Sequence, residues 1–231
     1  MTDVLRQEKK YAIHLADASA LRARLERVLH GDAHNGPQGY TIRSLYFDTP
    51  ENSDFQDKVD GLELRRKLRL RLYDPAADFA MLEMKQKEGP YQRKRSLRLD
   101  REAAMALTRG DYTPLLRCGE PFAAECYGLM TWRCYRPAAV VEYRRQAFVA
   151  KENRIRITFD SAITATETCF DVFSPQLPLY PVLEPFRLVL EVKYNGFLLS
   201  YIKNLLVQVE RSELSVSKYC LARRLTLGSK D

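Results

Sequence analysis

The chain has 231 residues, 45% hydrophobic and 29% charged, which supplies a full core and excludes a disordered segment. Lys and Arg outnumber Asp and Glu by 37 to 30, and the five cysteines form no CxxC pair, so neither a disulfide framework nor a zinc knuckle is indicated. No apolar run approaches the roughly 18 residues of a membrane span, the N-terminus has no signal-peptide core, and the chain reads as cytoplasmic.

Along the chain, alternation of apolar and charged residues with period two marks strands that have one face in a core. The first runs near Leu5 to His14, with Arg6, Glu8 and Lys10 opposing Leu5, Tyr11 and Ile13. A helix follows from Asp17 as N-cap, with Leu21, Leu25 and Val28 or Leu29 at helical spacing before Gly31. Tyr40 to Asp48 is aromatic and β-branched and reads as a strand that ends at Thr49-Pro50-Glu51-Asn52. Strands over Leu64 to Tyr73, Phe79 to Lys87 and Tyr91 to Leu99 are joined through Asp74-Pro75 and Glu88-Gly89-Pro90, links short enough for antiparallel neighbours.

A short helix at Arg101 to Thr108, capped by Asp100, leads through Pro114 and Pro121 to a second near Phe122 to Met130. Strands resume at Val140 to Val149, Arg154 to Asp160 and Arg187 to Tyr194, with a loop containing Pro175, Pro178, Pro181 and Pro185 before the last. Two helices close the chain, one capped by Ser200 and burying Ile202, Leu205, Leu206 and Val209, the other capped by Ser217 and carrying Leu221 and Leu225. No composition shift marks a boundary, so residues 1–231 are read as one domain. The expected class is α+β: a closed antiparallel β-barrel with helices packed outside, closure being attractive because it removes exposed edges. Trp132, and Cys118, Cys126 and Cys134, read as core, and His30 with His34 lack a third ligand.

The charges are clustered. Between Leu64 and Arg98 eleven basic residues (65, 66, 67, 69, 71, 85, 87, 93, 94, 95 and 98) meet four acidic ones, an excess equal to the +7 of the whole chain. Alternation places Arg65, Lys67, Arg69 and Arg71 on one face and Leu68, Leu70 and Leu72 on the other. Glu83, Lys85 and Lys87 share a face, as do Lys94, Ser96 and Arg98, then Arg154, Arg156, Thr158 and Asp160, then Glu191 and Lys193. An ordinary solvated outer face is the plain alternative. Solvated faces, however, mix Thr, Ser, Gln and Glu with Lys, whereas these are heavy in Arg, whose planar fork grips phosphate oxygens in pairs. A barrel closed with its Leu and Ile side outward would turn the charged face into a lining that calls for a polyanion.

The ordered set Glu8-Lys-Lys-Tyr11, Ser44-Leu-Tyr-Phe-Asp48, Lys67-Leu-Arg-Leu-Arg71, Leu82-Glu-Met-Lys85, Tyr143-Arg-Arg-Gln-Ala-Phe148, Arg156-Ile-Thr-Phe-Asp160, Leu190-Glu-Val-Lys193 and Ser217-Lys-Tyr219 spans nearly the whole chain. On these motifs the chain resembles the polyphosphate polymerase domain of the vacuolar transporter chaperone (VTC) type, within the triphosphate tunnel metalloenzyme superfamily. The resemblance implies an eight-stranded tunnel that binds the triphosphate of ATP and a growing polyphosphate, with Mn²⁺ or Mg²⁺ as cofactor. It implies Lys10, Arg69, Arg71, Lys85, Lys94, Arg145, Arg156 and Lys218 as phosphate ligands and Tyr143 as a hydroxyl contact. Glu191 would hold the metal, with Glu8 and Glu83 as further metal candidates. Arg69, Arg71, Arg145, Arg156 and Glu191 form the implied catalytic set.

Arg6 stands where the hydrolase branch has the first carboxylate of Glu-x-Glu-x-Lys, which favours transfer to a phosphate acceptor over hydrolysis. The reaction expected is transfer of the γ-phosphate of ATP to a polyphosphate end. Hydrolysis of a triphosphate, or polyphosphate binding without turnover, are the alternatives. The Leu64–Tyr73 cationic face carries only Tyr73 for base stacking, so nucleic acid is not an expected partner. Eukaryotic members carry membrane helices that this sequence lacks, so membrane coupling would need a separate membrane-protein partner. No GxxxxGK phosphate loop is present, consistent with phosphates held by side chains.

Overall fold

The structure, a computed structural model, describes residues 6–89, 91–207, 211–213 and 217–227. Leu5, Pro90 and Val209 of the expected elements, and the side chains of Arg6 and Leu225, lie outside what it describes. In chain order the elements are β1 (Arg6–His14), α1 (Leu15–Leu25), β2 (His30–Gly31), β3 (Tyr40–Asp48), α2 (Ser53–Val59), β4 (Arg65–Leu72), β5 (Phe79–Glu88) and β6 (Tyr91–Asp100). There follow α3 (Arg101–Thr108), α4 (Pro121–Trp132), β7 (Arg136–Val149), β8 (Arg156–Thr166), β9 (Tyr180–Pro181), β10 (Arg187–Asn195), α5 (Ser200–Val207), β11 (Arg211–Glu213) and α6 (Lys218–Leu227).

The strands form one sheet of eleven in the order β11-β1-β10-β8-β7-β3-β4-β5-β6, with β2 on β7 and β9 on β8. This corrects the closed eight-stranded barrel: the path is open, ending at β11 and β6. The β6 end explains part of this: the strand begins with four exposed residues, Tyr91, Gln92, Arg93 and Lys94, of which the charged Arg93 and Lys94 discourage a further strand.

The chain divides into two compact units. The first comprises Met1–Thr41, Tyr143–Ile163 and Leu183–Ser215. Within it β1 pairs antiparallel with β10, Glu8 opposite Lys193 and Lys10 opposite Glu191, and β10 pairs with β8, Glu191 opposite Thr158. Ile13, Phe148, Phe159 and Leu190 on the other face pack under Leu21 and Leu25 of α1 and Ile202 and Leu206 of α5. Fully burying each such side chain contributes about 1.5–3 kcal/mol.

The second unit comprises Ile42–Glu142, Thr164–Val182 and Val216–Asp231. β3 to β6 form an antiparallel meander in it, with Tyr46 opposite Arg69, Arg69 opposite Glu83 and Glu83 opposite Ser96. Its core sets Leu45, Leu68, Leu70 and Leu82 against Leu107 of α3 and Ala123, Cys126 and Met130 of α4.

Several local expectations need correction. α1 starts at Leu15 with His14 as cap, its Nδ1 accepting from the Ala16 N–H at 3.3 Å, so Asp17 lies inside the first turn. Trp132 is 83% exposed because the last turn of α4 buries Met130 and leaves Trp132, two residues on, on the opposite side of the helix, and Cys134 is exposed while Cys126 alone of its spaced trio is buried. At α2 the N-cap residue, Asn52, makes no side-chain cap bond, and the cap comes from the end of β3. Asp48 accepts from the N–H groups of Thr49 (2.8 Å), Asp54 (2.9 Å) and Phe55 (3.0 Å), and from the Tyr219 hydroxyl at 2.6 Å. That last bond ties α6 to α2.

Beside Asp48, Asp54 is wholly buried and accepts from the Tyr135 hydroxyl at 2.9 Å. Burial first, and then the Asp48 charge, push its carboxyl up from 3.8 to about 7. The folded state therefore holds this proton more tightly than the unfolded chain. Its contribution is full below about pH 4 and is lost as pH rises through 7, a change on the order of a few kcal/mol. Asp54→Asn is expected to flatten the fall in melting temperature between pH 5 and pH 8, measured by circular dichroism. An unchanged slope would sink this assignment.

Candidate functional site

Strand alternation sorts the basic run of the second unit into two classes. Lys67, Arg69, Arg71, Lys85 and Lys94 share the face opposite the leucines, whereas Arg95 turns to the helix side. There it pairs with Glu125 of α4 and lies over the Phe122 ring. At the centre of the cationic face stands Glu83, 1% exposed. Arg69 donates to it through Nε at 2.9 Å, Arg71 through Nη2 at 2.6 Å, and the Lys94 ammonium lies at 2.5 Å. Burial alone would raise the Glu83 carboxyl, but Arg69 and Arg71, with Lys94, overcome that and hold it at about 2. Three cations, Arg69, Arg71 and Lys94, share this one carboxylate.

Two further groups on β3 and β4 are orphaned. Ser44 Oγ and Arg71 Nε, in register opposite one another, are buried without a hydrogen-bond partner. Arg69 also donates to the Tyr46 hydroxyl at 3.3 Å, and Tyr46 stacks on Tyr219 with ring centroids 5.0 Å apart. Lys218 occupies the first position of α6, where Ser217 caps the helix by accepting from the Cys220 N–H at 3.2 Å.

The polar face of the first unit is built differently, because each cation has its own acid. Arg145 forks onto Asp160, Nε to Oδ1 at 2.6 Å and Nη2 to Oδ2 at 2.7 Å, and its Nη2 lies 3.7 Å from Glu191. Arg145 also lies over the ring of Tyr143, 5.4 Å from its centroid. Arg156 pairs with Asp32 at 2.5 Å and donates to the Tyr40 hydroxyl at 3.1 Å. Lys10 pairs with Glu8 at 2.5 Å. Lys193 contacts Glu191 and stands 3.8 Å from Glu8. Four cations and four carboxylates cancel. Asp32, Asp160, Tyr40 and Lys193 were not singled out as site residues, since their roles as partners depend on strands distant in sequence.

A model of the VTC domain matches residues 5–227. The chain belongs to the VTC domain family. Among solved structures the VTC domain here is similar to Hippeastrum HpAC1, a candidate adenylyl cyclase with dominant triphosphatase activity, at 14% identity and TM-score 0.55 over 96% of this chain and 97% of that one. It is similar also to a candidate adenylate cyclase from Bacillus halodurans, at 12% identity and TM-score 0.53 over 91% and 96%. A chain of the Schizosaccharomyces pombe Mediator head module matches at 10% identity and TM-score 0.52 over 90% and 99%. These likenesses show a shared fold. No curated protein matches the chain. No helix among the described residues is long and apolar enough to cross a membrane.

Among the described residues of this VTC domain, Glu8 and Glu191 could hold a hard divalent cation. Glu8 and Glu191 flank the Lys193 ammonium, so a positive charge already occupies the space between two carboxylates. Thr158 Oγ1, on the residue opposite Glu191, is buried without a hydrogen-bond partner. No group of three or more His, Cys, Asp and Glu converges among the described residues. Two carboxylates suit an ion that completes its sphere with phosphate oxygens and water. Glu83 does not suit one, because three cations already take its oxygens.

Replacing Glu83 should unbalance its face. Glu83→Gln leaves Arg69, Arg71 and Lys94 without their shared counter-ion, at a cost on the order of 3 kcal/mol. Added tripolyphosphate is expected to raise the melting temperature of Glu83→Gln by more than that of the parent protein. Equal shifts in the two proteins would show that this face takes no polyanion.

Proposed function

We propose that this VTC domain is a phosphotransferase that moves the γ-phosphate of ATP to the end of a polyphosphate chain, and that residues 1–231 serve as one functional domain. The observation that supports it is the cationic face of the second unit, where Arg69, Arg71 and Lys94 share the single carboxylate of Glu83 and where Ser44 Oγ and Arg71 Nε have no hydrogen-bond partner. Such a face stabilises a polyanion, and phosphoryl transfer needs little from a protein beyond positioning and charge neutralisation.

In this reading Arg69 and Arg71 grip phosphate oxygens, exchanging Glu83 for them, while Lys85, Lys94 and Lys218 add charge along the chain of phosphates. Glu83 is a counter-ion in waiting rather than a metal ligand. In the first unit Glu191 and Glu8 would hold Mg²⁺ or Mn²⁺, which when bound neutralises phosphate oxygens. Lys10, Arg145 and Arg156 also bind phosphate there. Arg145 is oriented by Asp160 and Tyr143, and Arg156 by Asp32 and Tyr40. No side chain acts as a covalent nucleophile; the acceptor's own terminal phosphate oxygen attacks the γ-phosphorus, the bond to the β–γ bridging oxygen breaks, and ADP leaves.

The test is incubation of the purified chain with ATP and Mn²⁺ or Mg²⁺, with products resolved on a gel. A ladder of polyphosphate is expected. Arg69→Gln with Arg71→Gln should lower its rate by about 10²-fold or more, and Glu191→Gln should raise the metal concentration required. Release of orthophosphate alone would mean that water is the acceptor, and tight binding without turnover would reduce the domain to a polyphosphate-binding module.

A further inference from the structure

The opposite face of β7 carries a second concentration of positive charge that the proposed reaction does not use. Arg145 and Tyr143 point to the polar face described above; Arg144 and Gln146 alternate to the other side. There a cavity of about 270 Å³ is lined by Arg22, Pro37, Gln38, Arg144, Gln146 and Ser161, with two cations and no carboxylate in the lining. Arg22 comes from α1 and lies over the Phe159 ring, 4.9 Å from its centroid. Its Nε is buried without a hydrogen-bond partner. Burial disfavours its charge, and Glu26, one turn further along α1, offsets this only in part. Arg144 is steadied by donating through Nη1 to Gln38 Oε1 at 2.6 Å.

Two backbone features build these walls. Gly39 has φ +79° and packs so closely on β7 that a Cβ there would stand 2.2 Å from the Arg145 carbonyl oxygen. Only glycine lets the Gly36-to-Gly39 turn come down beside Arg144, which is how Pro37 and Gln38 reach the cavity. On β8, Ala162 has φ +49°, a left-handed kink in a non-glycine residue directly after Ser161. Strain of this kind persists where the surroundings hold it, and here it adjoins a lining hydroxyl.

We propose that this cavity is a second anion site, separate from both polar-face clusters, that takes one tetrahedral phosphate group between Arg22 and Arg144, with Gln146 and Ser161 as hydrogen-bonding partners. Its volume lies just below the roughly 300–1,000 Å³ usual for drug-sized ligands, which suits a single phosphate or a small phosphoester and not a nucleotide or a polymer. Paired guanidinium groups with neutral donors beside them match the geometry of a phosphate dianion.

The experiment follows the arginine side-chain Nε–Hε signals of the full chain by NMR during titration with inorganic phosphate and, separately, with glycerol phosphate. Saturable movement of the Arg22 and Arg144 signals is expected, and it should persist in the Arg69→Gln/Arg71→Gln protein, where the other cationic face is weakened. The tighter of the two ligands then assigns the free ion or the ester, and either supports the site. Gln146→Glu, nearly isosteric, should weaken the response at least about tenfold by placing a carboxylate in the lining; Arg144→Gln should do the same by removing a cation. ATP turnover in both should be unchanged, which separates this site from the proposed reaction. No saturable movement, loss of the response in Arg69→Gln/Arg71→Gln, or an undiminished response in both cavity variants would overturn the proposal.

Discussion

An isolated carboxylate as deeply buried as that of Glu83 would cost several kcal/mol to desolvate, and four cations in a row on β4 would repel one another. Each problem offsets the other. Arg69 and Arg71 take the two oxygens of Glu83, and Lys94 from β6 joins them, so strands β4, β5 and β6 are linked across their polar face as well as by their ladders. The balance is incomplete: one acid cannot neutralise the three cations it meets. The surplus charge is what makes this face fit for an anion, and the leucines on the reverse of β4 are what keep it turned one way. A one-residue slip of β4 would put Arg69 and Arg71 into the apolar core, so burial of Leu68, Leu70 and Leu72 fixes the register on which the charge cluster depends.

Much of this was legible in the sequence because a strand's period is two and every side chain must fall on one face or the other. The split of Arg65, Lys67, Arg69 and Arg71 from Leu68, Leu70 and Leu72 needs no knowledge of neighbours. Which basic residues pair with which acids does need it. Arg95 belongs to the same basic run, yet its parity sends it to α4, where Glu125 is thirty residues away in sequence. Closure of the sheet was not legible at all. It is decided by whether the end strands find partners, and at the β6 end the charged start of the strand works against one. Helix α2 was missed for a related reason: its cap, Asp48, sits at the end of a strand and reaches past Asn52, whose left-handed backbone breaks any local capping pattern.

The motifs on which the family resemblance rests turn out to serve two purposes. Some supply the charge clusters. Others supply the frame: Ser44-Leu-Tyr-Phe-Asp48 and Ser217-Lys-Tyr219 meet through the Tyr219 hydroxyl on Asp48 and through the Tyr46–Tyr219 stack. Asp48 is saturated by three backbone N–H groups and one hydroxyl and has no capacity left for a ligand. A residue type suited to metal or phosphate chemistry is therefore spent on holding a helix end, and only its hydrogen-bond inventory distinguishes it from Glu191.

The two polar faces also differ in how they would respond to an anion. On the face around Glu83, a phosphate adds to a surplus of positive charge and needs to displace one carboxylate, whose own pairing is shared among three cations. On the polar face of the first unit Arg145 is matched by Asp160 and Arg156 by Asp32, so a phosphate there must compete with a dedicated partner unless a cation joins it. The carboxylates that would accept such a cation, Glu8 and Glu191, each have a lysine among their present partners, and an ammonium on a flexible stem is displaced more readily than a guanidinium held in a two-bond fork such as that of Arg145 on Asp160. Lysine beside the metal candidates and the arginine fork on Asp160 thus give the acids of this face different capacities to exchange partners.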